Sequence, residues 1–598
     1  MDLQFTEDEA RGHRDLAGRA ASARRSDQLA PDCRGLNFFQ IDDSLRALLP
    51  IYMDEALLTH LRPHLERLGE VAGGALNDLA EAADKHPPRL HARDRYGRDE
   101  EWIEFHPAYR AMEQIAFGDF ALHALTHIPV LGWPEPMPPV AKTVMHYLFA
   151  QAEFGLMCPI NLTDSSSALI DRYGDAETKS RFLPGMWSQD LSALLRGAQF
   201  MTEKAGGSDV GANELIAARD GEVFRLYGEK WFCSNADAEV AVLLARPEGA
   251  PAGGRGLGLF VMPKTLPDGT RNAYRVVRLK DKLGSKSMAS GEIVFDGALA
   301  WPLGALDAGL KQMLEMVNSS RLSHAVRAAG MMRRCLNEAV QAARRRNAFG
   351  VAVIDHPLMR RQLLKLMVPT EQALSTVLYL SEVSRRKDDR QARQILRLMT
   401  PLAKYRACRD NVTVATGAME ARGGNGYIED FVNARLVRDA HLGVIWEGTS
   451  NISALDAIRR AVGKEKAHEQ LRADVERRLG EAPLPGQFRT RLQAAAAQAF
   501  RFAEEVAAAP ERERFSRQAS AALYHVVSAA LLAEEGARLG AAGADARRLL
   551  LSRFVLEHRL GERKPMSLEG QAWEDEAIDL LLDEAPVELA RAQSLTMR

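Results

Sequence analysis

The period of the apolar residues changes twice along this 598-residue chain, and that constrains the fold more than any motif does. Within residues 57–83, Leu57, Leu58, Leu61, Leu65, Leu68 and Val71 recur at helical steps with charges between them. From about Leu195 short β-branched or aromatic runs take over, at 224–228, 240–245, 257–262, 274–279 and 291–297. Turns such as Leu266-Pro267-Asp268-Gly269 separate them. The helical period returns at Gly309, with helices expected over 313–345, 357–385 and 391–417. An α+β multidomain fold follows. It has an N-terminal helical domain over 1–194 and a compact β-domain, sandwich or barrel, over 195–304. A helical bundle follows over 305–462, and an appended helical domain over 463–598.

Finer expectations come from the breakers. Pro107 opens a helix in its first turn, residues 93–101 form a charged connector, and 129–139 are Pro-rich and irregular. Helices over 140–155 and 165–187 flank a loop at Cys158-Pro159-Ile160. In the last domain the Pro-containing segment 482–486 is a linker, and the apolar stretch 519–532 packs in a bundle of its own.

Composition limits the function. A net charge of −2 gives no global attraction to nucleic acid or to an anionic membrane. No apolar run reaches the length of a spanning helix, and residues 1–30 lack the apolar core of a secretory signal. The five cysteines, Cys33, Cys158, Cys233, Cys335 and Cys408, are scattered and odd in number, which argues for a reducing compartment and against a zinc site. His356 and His441 are isolated, so no metal site is expected. A cytoplasmic location follows, with peripheral contact at an inner membrane as the open variant.

The chemistry centres on Trp446-Glu447-Gly448-Thr449-Ser450-Asn451, twenty residues beyond Gly423-Gly424-Asn425-Gly426-Tyr427. Trp446 can shield Glu447 from water, and desolvation turns a carboxylate into a base useful near neutral pH. A solvated loop Glu beside a core Trp is the alternative that these residues alone leave open. Upstream, Gly206-Gly207-Ser208 can present amides and a hydroxyl to a phosphate. Lys230-Trp231-Phe232-Cys233-Ser234 can stack on a planar ring or form an ordinary strand. Arg344-Arg345-Arg346 either complements a helix dipole or clamps a pyrophosphate.

Six motifs in order resemble the acyl-CoA dehydrogenase superfamily over about residues 105–462. They are Met201-Thr202-Glu203 with Gly207-Ser208-Asp209, Lys230 to Asn235, Arg346 with Phe349-Gly350, Gly423 to Tyr427, Arg438-Asp439-Ala440, and Trp446 to Thr449. Within it the chain resembles long bacterial acyl-CoA dehydrogenases with an extra C-terminal helical domain, and the AidB-type branch.

The resemblance implies an FAD enzyme of fatty acid β-oxidation that forms a trans-2-enoyl-CoA, with Glu447 as catalytic base. Met201 and Thr202 would meet the flavin's pyrimidine edge, and Ser208 its pyrophosphate. Phe232, Cys233 and Ser234 would line the isoalloxazine, with Ser234 near N5. Arg346, Phe349, Glu420 and Gly424 would reach the FAD of a neighbouring subunit, and Thr449 and Asn451 would close over the adenine half. Ser208, Arg321 and Gly448 would contact the acyl-CoA. Some relatives carry the base just before the residue matching Arg321. Ser320 stands there, which leaves Glu447 as the candidate. Implied partners are an electron-transfer flavoprotein and a second copy of the chain, as homodimer or homotetramer.

The competing reading is a DNA-associated alkylation-response flavoprotein. It needs a basic C-terminal domain, yet residues 464–598 hold 20 Lys and Arg against 22 Asp and Glu. Glu574, Asp575, Glu576, Asp579, Asp583 and Glu584 make its last stretch acidic, and Arg547-Arg548 and Arg563-Lys564 read as solvated pairs. An oxidase of the same family fits the motifs equally.

Overall fold

The computed structural model describes residues 29–562, 566 and 572–597. The segment 1–28 and the pair Arg563-Lys564 lie outside the described residues. Among the described residues no helix is long and apolar enough to cross a membrane.

The first helices are α1 (Asp43–Tyr52), α2 (Glu55–Gly73) and α3 (Ala75–Lys85). Asp42 and Asp54 cap α1 and α2, accepting the amides of Leu45 and Leu57 that have no intrahelical partner. The helix expected over 57–83 breaks at Gly74. Where a charged connector was expected, a hairpin of β1 (Arg89–Arg93) and β2 (Asp99–Glu104) forms. Its inward position at Glu101 is charged. That carboxylate takes Arg271 at 2.5 Å and the Val276 amide at 3.0 Å, so the apolar alternation that marks a strand is missing.

Next come α4 (Pro107–Glu113), α5 (Pro139–Ala150), α6 (Met157–Tyr173) and α7 (Ala176–Met186). The loop expected at Cys158-Pro159-Ile160 is the first turn of α6, where proline removes no helical hydrogen bond. The helix expected over 165–187 divides at Gly174, and Asp175 caps its second half.

Seven strands follow: β3 (Gly197–Phe200), β4 (Ile216–Asp220), β5 (Val223–Ser234), β6 (Val240–Pro247), β7 (Gly258–Pro263), β8 (Tyr274–Leu279) and β9 (Ser290–Pro302). Their ladders close on themselves, making a flattened barrel. β3 runs parallel to β6, β6 antiparallel to β7, and β7 meets β9 at Phe260–Pro302. β9 runs along β5, which touches β3 at Ser234–Gln199. Val240 to Ala245 is buried on both faces. Ala241, Leu243 and Ala245 fill the barrel, while Val240, Val242 and Leu244 join the helical core.

The long helices are α8 (Gly309–Arg345), α9 (Pro357–Arg385) and α10 (Arg390–Arg422), with a hairpin of β10 (Asn347–Ala348) and β11 (Val351–Ala352) after α8. Then come α11 (Val432–Gly443), α12 (Ser450–Leu455), α13 (His468–Glu481), α14 (Gly486–Ala508), α15 (Ser516–Ala541), α16 (Arg547–Val555), α17 (Ala572–Leu582) and α18 (Leu589–Met597).

The apolar stretch 519–532 does not keep to a bundle of its own. It lies in α15, which packs on α9 and α10 as well as on α14 and α16. Polar groups seal this seam: Gln372 of α9 donates to Ser528 at 2.7 Å, and Ser375 to Glu535 at 2.7 Å. Arg548, expected to be solvated, is buried between Glu371 at 2.7 Å and Glu535 at 2.8 Å. The acidic α17 region has a docking role: Asp579 meets Arg360 at 2.5 Å, Glu574 meets Arg361 at 3.2 Å, and Glu584 meets Arg344.

Candidate active site

Glu447 sits between α11 and α12 with a left-handed backbone, φ 51°, and Gly448 follows at φ 95°. Two such residues in succession are strained for L side chains unless something holds them. Here cations hold both carbonyls. Arg321 Nε donates to the Glu447 carbonyl at 3.1 Å, and Lys404 Nζ to the Gly448 carbonyl at 2.5 Å. Asp456 steadies Arg321 at 2.6 Å and Arg397 at 2.7 Å. Thr449 caps α12 through its side chain, and Asn451 is exposed beside it. A methyl at position 448 would meet Ile452 Cγ2 at 3.0 Å. Gly448→Ala therefore strains the turn by about 1–2 kcal/mol and lowers kcat/KM about tenfold, read by steady-state kinetics beside a melting curve.

Burial raises the Glu447 pKa above the ordinary carboxylate range, against the pull of Lys404, Arg327 and Arg321 in that order. Trp446, next to Glu447 in sequence, packs on His324 at 4.5 Å and on Phe154 at 6.0 Å between centroids. Arg327 lies over the Trp446 and Phe154 rings at 5.3 and 5.6 Å. Burial pushes the Cys158 thiol up to about 11, within reach of the charges of Arg327 and Glu447, and Ser234 is its hydrogen-bond partner. Ser320 is buried and takes Asn161 Nδ2 at 2.9 Å.

The end of β5 connects to Glu447 through Cys158, which hydrogen-bonds Ser234. Lys230 is buried in an ion pair with Glu203 at 2.6 Å and also reaches the Met201 carbonyl at 3.3 Å. The Trp231 amide bonds the Thr202 carbonyl at 2.9 Å, so Met201-Thr202 is fixed against β5. Phe232 faces outward, 54% exposed, and Ser234 lies on the same side. Cys233 does not join them. Strand alternation turns its side chain into the barrel core, which leaves only its backbone to meet a cofactor. Ser208 is exposed on the Gly206-Gly207 loop.

A second group lies together elsewhere. Arg346 Nη1 donates to the Arg422 carbonyl at 3.1 Å, beside Gly423 and Gly424, while Phe349 is 99% exposed and the Glu420 residue is exposed too. Among the described residues no hydrogen bond or ion pair joins this group to Met201, Thr202, Ser208 or Ser234.

Arg327, His324, Lys404 and Cys158 were not among the expected site residues. A signal existed: Arg327 interrupts the small apolar run 325–330, and Lys404 shares a helical stripe with Pro401, Cys408 and Asn411.

Known proteins carry the same frame. Residues 198–298 match the middle domain and 307–463 the C-terminal domain of the acyl-CoA dehydrogenase family models, and 28–191 match the model described as the adaptive response protein AidB N-terminal domain. The chain is 35% identical to the AidB protein of Escherichia coli over 409 residues, 66% of this chain and 73% of that one. The chain belongs to the acyl-CoA dehydrogenase family. Its branch within that family is the AidB type. This acyl-CoA dehydrogenase is also 30% identical to acyl-CoA dehydrogenase family member 11 of Caenorhabditis elegans, over 74% of its own length and 72% of the relative's. The solved structure of the C. elegans protein ACDH-11 in complex with C11-CoA superposes with TM-score 0.83 at 26% identity, covering 90% of this chain and 93% of that one.

Acyl-CoA dehydrogenases of this family are FAD flavoproteins, and the residues present fit the group. Phe232 offers an uncovered ring, Ser234 a hydroxyl beside it, and the pinned Met201-Thr202 segment a polar edge.

Proposed function

We propose that this acyl-CoA dehydrogenase performs α,β-dehydrogenation of an acyl-CoA thioester to the trans-2-enoyl-CoA, with Glu447 as base. The observation that carries this is a carboxylate with a raised pKa on a clamped left-handed turn, with Cys158 within reach both of its charge and of the Ser234 hydroxyl at the end of β5. Met201, Thr202, Ser208, Phe232 and Ser234 would hold FAD, which when bound would supply the hydride acceptor for the β-hydrogen. Glu447 takes the α-proton onto its carboxylate, and Trp446 and Phe154 keep water from that oxygen. An α-proton beside a thioester is a weak acid, so donors near the thioester oxygen must stabilise the charge that develops there. Electrons leave to an electron-transfer flavoprotein. The Arg346, Phe349 and Gly424 face, with exposed Leu358 and Tyr427, serves the neighbouring subunit of a homodimer or homotetramer.

The test is turnover with acyl-CoA and an electron-transfer flavoprotein, monitored for reduction of that partner and for hydrogen peroxide. Partner reduction without peroxide supports a dehydrogenase, and peroxide as the main product makes it an oxidase. The DNA-associated reading has less support, because Arg478, Arg548, Arg553 and Arg591 of the appended region are all engaged by carboxylates.

A pH profile follows from the electrostatics. Glu447 works only when ionised, so kcat/KM falls as pH drops through its raised pKa. Lys404 favours the ionised form, so Lys404→Met moves this acid limb to higher pH. An unmoved limb would show that Glu447 is not the titrating group.

A further inference from the structure

The wall of the Glu447 site contains donors that the chain does not satisfy. Arg327 has no exposed surface. Its Nη2 donates to His324 Nδ1 at 2.7 Å, its Nε reaches the Ser323 carbonyl at 3.4 Å, and its Nη1 has no partner. A guanidinium only donates, so His324 Nδ1 accepts and the ring proton sits on Nε2. That Nε2 has no partner either, and neither has Trp446 Nε1. All three unsatisfied atoms are donors, and they belong to one packed cluster of Arg327, His324 and Trp446.

Other buried arginines of this protein are treated differently. Arg333, Arg334, Arg422, Arg478 and Arg548 each hold a carboxylate at 3.2 Å or less. Arg327 holds none among the described residues. The faces of Trp446 and Phe154 offset part of the cost of burying it, and cation–π contact is weaker than pairing with an anion. The nearby charges do not balance. Arg327 and Lys404 both act on one carboxylate, that of Glu447, and protonation of Glu447 during turnover removes even that negative charge.

We propose that Arg327, with His324 Nε2 and Trp446 Nε1, recognises an anionic oxygen on the acyl group. The substrate class is then a short acyl-CoA carrying a carboxylate beyond its α and β carbons. This rests on the dehydrogenase reading and deepens it. The carboxylate supplies the acceptors that the cluster lacks and restores neutrality beside Glu447, and it takes no part in the bond changes. Arg327 is a specificity residue here, and a plain counter-ion of Glu447 is the alternative role.

The experiment compares two substrates with the FAD-loaded enzyme: a short ω-carboxyacyl-CoA, and the straight acyl-CoA with methyl in place of the carboxylate. The wild type favours the first in kcat/KM by about 100-fold, since a site built for a polar group rejects the analogue lacking it. In Arg327→Gln that ratio collapses toward unity, and in Arg327→Lys it falls part-way. A wild type that prefers the methyl substrate overturns the proposal without any variant. So does an Arg327→Gln enzyme in which both substrates fall together and the ratio holds, the result a counter-ion role gives. If no acyl-CoA of either kind reduces the flavin, the dehydrogenase reading fails and takes this inference with it.

Discussion

In Glu447→Gln the protein stays yellow and still binds acyl-CoA, while kcat falls by about 10²–10⁴, the usual cost of losing a positioned general base. The change is nearly isosteric, and Glu447 itself is not among the groups assigned to the flavin. What disappears is the acceptor for the α-proton. No neighbour replaces it: Ser320 is bonded to Asn161, and Lys404, Arg327 and Arg321 are cations. Glu447→Asp keeps the carboxylate but withdraws it by one methylene, and its kcat falls between the two. Steady-state kinetics with the best substrate checks both variants. A Glu447→Gln enzyme within a few-fold of wild type would mean that another group takes the proton.

Arg548→Met lowers the free energy of unfolding by about 3–5 kcal/mol, because removing one partner of a buried pair leaves the other charge uncompensated. Arg548 lies at the centre of a network that crosses the molecule. It bonds Glu371 and Glu535, and Glu371 in turn binds Arg333 and takes Ser44 Oγ at 3.0 Å. Arg333 pairs with Asp42 at 3.2 Å, Tyr147 donates to Asp42 at 2.7 Å, and Tyr52 donates to Glu535 at 2.6 Å. The network thus ties α1, α5, α8 and α9 to the appended helices α15 and α16. Urea titration gives the stability, and limited proteolysis shows the appended helices released first. Glu535→Gln in the Arg548→Met background recovers part of the loss, since one of the stranded carboxylates is then neutral.

The same network gives an acid limb to stability. Burial alone would raise the Glu371 pKa, but Arg333 and Arg548 outweigh it and hold the carboxyl down to about 2. A depressed carboxylate contributes fully above its unfolded pKa of about 4.3 and loses that contribution as pH falls toward about 2. Arg548→Met shrinks this loss on acidification, which separates it from a simple packing defect.

The order of helices, barrel and helices was legible because each segment keeps one apolar period over many residues. Val240 to Ala245 read as a strand because both of its faces are buried. The hairpin at 89–104 was not legible, since its inward Glu101 pairs with Arg271, 170 residues away. The docking of the appended helices was hidden for the same reason: Glu371 and Arg548 each read as ordinary helical charges until the fold joins them. In the candidate site, Glu447, Phe232 and Ser234 are proposed from motifs carried on one short segment each. Arg327 and Lys404 could not be named that way, because what distinguishes them is what surrounds them in space. The Cys233 side chain does not share the face of Phe232 and Ser234, because adjacency in a strand is not adjacency on one of its faces.

The most direct test of the central claim is an anaerobic titration of the FAD-loaded protein with acyl-CoAs, following the flavin absorbance band, with Glu447→Gln alongside. In the wild type the band bleaches with at least one acyl-CoA class, and in the variant it persists. Bleaching that survives Glu447→Gln, or a flavin that no acyl-CoA reduces, would contradict that claim.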